Sequence, residues 1–283
     1  MITEKAYAKV NLFLNVLGKR KDGYHDLEMI NAKIDLYDTV TIEQIDVPGM
    51  AIIVSNDLFL SNQNNIVHDV ATHMARKYLS ESGIKVSIDK KIPFGAGLAG
   101  NSADAAAIIK GVNHLFNLEL TFSEMVDIAL LYGADIPYCL IDAPALVEGI
   151  GEKITPISVD WGGYCVLLVH PKVYVATQDI FTLGDKKGFD EGDFKAAIKS
   201  LKDCDISLFV SKMHNALQHL SLEANPAVAD AFQCMGESLG TEGIIMTGSG
   251  STLIKLFQPP AQAVDEFIAK YCDRYFINIY KFL

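Results

Sequence analysis

Lys90-Lys91-Ile92-Pro93-Phe94-Gly95-Ala96-Gly97-Leu98-Ala99-Gly100-Asn101-Ser102-Ala103-Asp104-Ala105-Ala106-Ala107 is the stretch on which the reading of the chain turns. It leaves a short strand-like segment, residues 85–92, crosses a run of small residues, and enters helical spacing at Ala105, Ile108, Ile109, Val112 and Phe116. Small residues let backbone N–H groups approach a ligand closely, and a helix N-terminus carries partial positive charge. Together these features make a seat for phosphate oxygens. Gly95-x-Gly97-x-x-Gly100 also matches the dinucleotide fingerprint, but that fingerprint requires a βαβ unit with an acidic residue closing the next strand. Here a second helix follows instead, opened by Thr121 and Glu124 at capping-box spacing and continuing to Tyr132. A Walker A loop is excluded, because no Gly-Lys-Ser/Thr follows the glycines. A glycine turn without any ligand is the plain alternative.

Towards the N-terminus, residues 6–17 alternate. Ala8, Val10, Leu12, Leu14 and Val16 fall on one face and Tyr7, Lys9, Asn11, Phe13 and Asn15 on the other, as strand side chains do. A basic turn at 18–23 and strand signals at 27–34 and 39–45 make this an antiparallel β region. Ile66, Val67, Val70, Met74 and Tyr78 then mark a helix. Towards the C-terminus, residues 145–157 read as strand, and a domain boundary is expected near 153–160, giving domains 1–155 and 156–283. The second domain is expected to contain a strand (163–170), helices (about 194–201, 207–220 and 226–239), strands (243–247 and 252–257), a helix (261–271) and a strand (275–281). Asn225-Pro226 suits the start of the third of those helices, as cap followed by first-turn proline. Collapsing consecutive helices gives β-α-β-β-α-β, the ferredoxin-like order. The fold class is α+β, in two domains.

Composition bounds the function. At about 150 residues per domain, 283 residues give two domains or one large one. A 50% hydrophobic and 21% charged composition supports a packed core. Net charge is −11, which argues against a duplex nucleic-acid partner or an anionic membrane surface, though a local pocket can still hold a small anion. Five cysteines without CxxC spacing support neither a disulfide framework nor a zinc site. His68, His73, His114, His170, His214 and His219 show no metal-ligand spacing. The apolar runs fall far short of the ~20 residues of a membrane helix, and Met1-Ile2-Thr3-Glu4-Lys5-Ala6 lacks signal-peptide features, so a cytoplasmic location is expected.

The 90–107 stretch resembles the second motif of the GHMP kinases, the family of galactokinase, homoserine kinase, mevalonate kinase and phosphomevalonate kinase. Three further blocks share the resemblance, and the four span most of the chain in the family's order. They are Ala6-Tyr7-Ala8-Lys9-Val10-Asn11-Leu12-Phe13-Leu14 with Asp22-Gly23-Tyr24-His25, then Gly133-Ala134-Asp135-Ile136-Pro137, then Thr247-Gly248-Ser249-Gly250-Ser251-Thr252. The chain departs from the family at Tyr7, where a proline is usual, and at Ala99, Asn101 and Ala103, where the loop usually carries more glycine and a Ser-Ser pair. Ser102 remains, and Asn101 is available to cap the helix or to contact phosphate.

The resemblance implies an N-terminal ribosomal-protein-S5-domain-2-like domain and a C-terminal ferredoxin-like domain. It implies ATP with Mg2+, the phosphates lying along residues 93–103 and Asn65 bordering the adenine. Phosphoryl transfer needs alignment and charge stabilisation more than covalent chemistry. Asp135 is the implied general base and Lys9 its implied partner, the two meeting in space. The resemblance also implies a cytidylyl-methylerythritol acceptor, its cytosine between Tyr24 and Phe181, with His25 hydrogen-bonding the base and Asn11 and Thr177 lining the site. No magnesium ligand is implied beyond Ser102. The expected partners are small molecules, without nucleic acid or membrane, in a monomer or homodimer. The alternatives are a member acting on homoserine or mevalonate, for which Tyr24 and His25 have no purpose, and a catalytically inert nucleotide-binding regulator, which should have lost Lys9 or Asp135.

Overall fold

The computed structural model describes residues 1–56 and 65–283. It divides into two compact units, one gathering Met1–Ala8, Leu36–Phe94 and Ala99–Asp142, the other Lys9–Asp35, Gly95–Leu98 and Ala143–Leu283. Two long strands, β1 (Ile2–Lys19) and β2 (His25–Ile45), each begin in one unit and end in the other. β2 runs unbroken where the sequence suggests two strands. Asp38, in the stretch between the two, is buried, and its carboxylate accepts hydrogen bonds from the amides of Lys91 and Ile92.

The first unit also holds β3 (Ala51–Ser55), α1 (Ile66–Tyr78), β4 (Gly83–Asp89), α2 (Gly100–Leu115), α3 (Phe122–Leu130) and α4 (Ile136–Cys139). β2 pairs antiparallel with β4 from Thr39 opposite Asp89 to Ile45 opposite Gly83, and β3 pairs parallel with β4. The helical spacing read from the sequence is the buried face. Val67, Val70 and Met74 of α1 and Ile108, Ile109 and Val112 of α2 share a core with Val40, Ile42, Ile84 and Val86 of the strands. The α3 capping box forms as its spacing predicts, the amide of Thr121 donating to Glu124 Oε2 at 2.8 Å and that of Glu124 to Thr121 Oγ1 at 3.3 Å.

The second unit holds β5 (Ala145–Gly149), β6 (Lys153–Pro156), β7 (Cys165–His170), α5 (Thr177–Lys187), α6 (Phe194–Lys202), α7 (Ile206–Lys212), β8 (His214–Asn215), α8 (Gln218–Ala224), α9 (Pro226–Leu239), β9 (Ile244–Met246), β10 (Leu253–Phe257), α10 (Gln262–Tyr271) and β11 (Phe276–Lys281). Its antiparallel sheet has the order β11-β7-β10-β9, the ferredoxin-like arrangement expected from the sequence. Every residue of β7 is buried, which is why that strand reads as a continuous apolar run.

The structure corrects the sequence reading at several elements. The expected helix 207–220 is interrupted at β8, where His214 and Asn215 pair parallel with Phe13 and Leu14 of β1. The Asn215 amide there donates to the carbonyls of Met246 and Gly248, contacts a continuous helix would forfeit. The expected strand 145–157 is two strands that pair antiparallel, β5 and β6. α5 escaped the reading because only Ile180 and Gly184 of it are buried, too few for a periodic signal. Pro226 opens α9 as expected, but Asn225 turns its amide to the carbonyl of Ser221 instead of capping.

Candidate active site

The flanks of the glycine loop belong to the first unit. After β4, Lys90 turns inward, its Nζ bonding Asp38 and, at 2.7 Å, Oδ2 of Asp104 on α2. Asp38 also receives the amides of Lys91 and Ile92, so the segment entering the loop and the helix leaving it are both tied to β2. Burial works against the Lys90 ammonium, yet the carboxylates of Asp104 and Asp38 outweigh it and hold its pKa above the ordinary lysine value. Burial, against the pull of Lys90, pushes the Asp104 carboxyl up to about 7. Ala99 is the residue before α2 and stands at φ +55°, in the left-handed region that glycine normally occupies. It supplies no side-chain cap, and Asn101 lies inside the first turn instead of capping it. The opening amides of α2 thus keep donors for oxygens outside the helix.

The middle of the loop, Gly95–Leu98, belongs to the second unit and is gripped by the C-terminal glycine motif. Gly97 has φ +75°, and a Cβ there would stand 2.4 Å from the carbonyl oxygen of Thr247 and 2.8 Å from that of Gly250. Thr247 Oγ1 donates to the Gly97 carbonyl at 3.2 Å, and the Thr252 amide donates to that of Ala96 at 3.3 Å. The motif therefore shapes the loop.

Lys9 lies on β1 and is 4% exposed. From Ala8 to Leu14 both faces of β1 are buried, so the polar face read from its alternation is an interior network. The Lys9 ammonium donates to Asn11 Oδ1 at 2.9 Å, and its backbone amide donates to the Leu98 carbonyl at 3.1 Å. Asn11 gives its side-chain amide to Asn31 Oδ1 at 2.7 Å and its backbone amide to Thr247 Oγ1 at 3.0 Å. The second unit thereby brings together Lys9, Asn11, the loop tip and the third glycine motif.

In the first unit, Asp135 stands between α3 and α4, half-buried. The turn is tight, with the Ile136 amide donating to the Gly133 carbonyl at 3.3 Å and Pro137 in the opening turn of α4. Asp135 occupies the cap position of α4 without its carboxylate making the cap bond. Asn65 caps α1, accepting from the His68 amide at 3.0 Å.

The residues expected around the base lie in the second unit. Tyr24 sits at the β1–β2 turn, 57% exposed. Its neighbour His25 is buried, with its ring stacked on Phe181 at 4.8 Å and 30° and meeting the edge of Phe189 at 5.6 Å. His25 Nε2 is 2.7 Å from Oδ1 of Asp185, whose other oxygen binds Lys19. Thr177, Phe181 and Asp185 recur every four residues along one face of α5, and Thr177 Oγ1 reaches Ser249 Oγ of the glycine motif at 2.8 Å. Sequence reasoning missed Asp185. Its signal was the spacing of four from Phe181, legible only once α5 is known to be a helix.

Residues 65–148 match the family model described as the GHMP kinases N terminal domain, and residues 187–275 match GHMP kinases C terminal. Among curated relatives, the 4-diphosphocytidyl-2-C-methyl-D-erythritol kinase of Clostridioides difficile is 35% identical over 97% of this chain and 94% of its own. That of Acetivibrio thermocellus is 38% identical over 93% of this chain and 92% of its own. The chain belongs to the GHMP kinases.

As a GHMP kinase it has a fold shared by solved members of that group. A crystal structure of 4-(cytidine 5'-diphospho)-2C-methyl-D-erythritol kinase superposes with TM-score 0.80 at 24% identity over 99% of both chains. Homoserine kinase from Cytophaga hutchinsonii gives 0.69 at 16% identity over 97% of both chains. GHMP kinases use ATP as phosphoryl donor, and the open first turn of α2 beside the glycine-rich loop suits its phosphates. Among the described residues no cluster of three or more His, Cys, Asp or Glu side chains could hold a metal by itself, and no helix is long and apolar enough to cross a membrane.

Proposed function

We propose that this GHMP kinase transfers the terminal phosphoryl group of ATP to the 2-hydroxyl of 4-diphosphocytidyl-2-C-methyl-D-erythritol, a step of the non-mevalonate route to isoprenoid precursors. The observation that carries this reading is 35% identity over 97% of the chain to a kinase of that name. In the step, the bond from the acceptor oxygen to the terminal phosphorus forms as the bond from phosphorus to the bridging oxygen breaks, giving the 2-phosphate and ADP. Asp135, in the tight turn between α3 and α4, takes the hydroxyl proton. The buried Lys9 ammonium stabilises negative charge on the transferring group and is held in place by Asn11. The amides of residues 93–103 and the start of α2 hold the phosphates, and Asn65 borders the adenine.

Magnesium fits this donor set. It binds through few protein oxygens and several phosphate oxygens, and the Ser102 hydroxyl in the first turn of α2 is the side chain to share it. Bound there, it would offset phosphate charge. Tyr24, His25, Phe181, Thr177 and Asn11 receive the acceptor, with Tyr24 and Phe181 taking the faces of the base and His25 its edge. We also propose residues 1–155 and 156–283 as the two domains, a division supported by family models that fall one on each side of it. A panel of acceptors with labelled ATP tests the reading. Label is expected on the cytidylyl acceptor and absent from homoserine and mevalonate; transfer to either of those instead would overturn it.

A further inference from the structure

We infer that Asp185 is the positioning residue for base selection: by binding Nε2 of His25 it leaves Nδ1 as a hydrogen-bond acceptor, so the acceptor's base must present a donor at its 4-position, where cytosine carries an amino group and uracil a carbonyl. This rests on the cytidylyl reading above and adds to it the means of discrimination. Asp185 Oδ1 lies 2.7 Å from His25 Nε2, while Oδ2 is engaged by Lys19. The Lys19 ammonium, and after it His25, hold the Asp185 carboxyl below the usual carboxylate range. An ionised carboxylate has no proton to donate, so the proton in this contact belongs to the imidazole. In the neutral ring that places a lone pair on Nδ1.

The ring is also held against turning. Its side chain is 7% exposed, one face lies on Phe181 and the ring meets Phe189 edge-on. Phe181 and Asp185 come from successive turns of α5, so one helix face sets both the plane of the imidazole and its proton. Cytosine offers its 4-amino donor to such a nitrogen, whereas uracil would set a carbonyl lone pair against it. A polar site facing the wrong partner rejects it far more strongly than an apolar site rejects a mismatch of size.

The test compares the cytidylyl acceptor with its deaminated uridylyl counterpart, in buffer alkaline enough to keep imidazole neutral. The intact protein is expected to prefer the cytidylyl acceptor by at least about a hundredfold in kcat/KM. Asp185→Asn, whose amide can either accept or donate, is expected to cut that preference at least about tenfold by raising KM for the cytidylyl acceptor, with KM for ATP unchanged. No phosphorylation of either acceptor by the intact protein would overturn the function reading itself. Phosphorylation of both at similar efficiency, or an unchanged preference in the variant, would overturn the role of Asp185 alone. Nitrogen-15 NMR of His25 in the unmutated protein gives an independent answer: a proton on Nε2 is expected, and a neutral ring protonated on Nδ1 would refute the inference.

Discussion

Thr247 Oγ1 donates to the carbonyl of Gly97 at 3.2 Å and accepts the backbone amide of Asn11 at 3.0 Å. One hydroxyl thus joins the tip of the phosphate loop to the strand that carries Lys9. Because Thr247 and Asn11 are both fully buried, Thr247→Val leaves the Asn11 amide without this acceptor, at a cost of about 1–3 kcal/mol. The urea midpoint should fall accordingly and KM for ATP should rise, while Thr247→Ser, which keeps the hydroxyl, should restore both. A valine variant with the stability and ATP response of the parent would show that the hydroxyl does not brace the loop.

Gly97 tolerates no side chain. A Cβ would strike backbone carbonyls at 2.4 and 2.8 Å, and φ +75° is itself unfavourable by about 1–2 kcal/mol for an L-residue. Gly97→Ala should raise KM for ATP by roughly tenfold or more. Gly100→Ala is the contrast. Its nearest neighbour would be a side-chain methyl of Ile92 at 3.0 Å, which can give, and the effect on ATP should be much smaller. Equal responses from the two variants would contradict the account of the loop.

The fold was legible where burial is one-sided. Val67, Val70 and Met74 announce α1, and Thr121 with Glu124 announces α3, because each signal lies within one element. Lys9, Asn11 and the glycine motifs were legible as residue types in order. What they touch was not, since the bond from Thr247 to Asn11 spans 236 positions. The network of Lys90, Asp38 and Asp104 went unread for the same reason, its bonds linking residues 52 and 14 apart. Asp185 was hidden by an exposed helix with little periodicity.

Asp135→Asn should lower kcat by about a hundredfold or more, the scale of general-base catalysis, with ATP affinity nearly unchanged. The amide is isosteric with the carboxylate, and thermal unfolding checks that the fold survives. Steady-state kinetics and nucleotide titration separate the two effects. Turnover at the parent rate would remove Asp135 as the base.

Tyr24→Ala should act on the acceptor alone. Stacking of a base on an aromatic ring contributes ~1–3 kcal/mol, which predicts a rise in acceptor KM of about 5- to 150-fold. The ring is mostly exposed, so thermal stability should not change. An unchanged KM would mean that the base does not lie on this ring.

Asp104→Asn should alter how stability depends on pH. The Asp104 carboxyl titrates near 7 in the folded protein, against 3.8 for the unperturbed group. Between these values the folded chain holds a proton that the unfolded chain has lost, so this group's contribution to stability declines as pH rises towards 7. Asparagine cannot titrate, so the stability of the variant relative to the parent should improve as pH is raised from about 5 to about 8. The Lys90 ammonium keeps Asp38 as a partner in the variant. Lys90→Met, by contrast, leaves the buried Asp38 carboxylate without its cation and should destabilise by about 3–5 kcal/mol. Urea midpoints of parent and Asp104→Asn across that pH range decide the matter, and a difference that stays constant with pH would show that Asp104 carries no displaced titration.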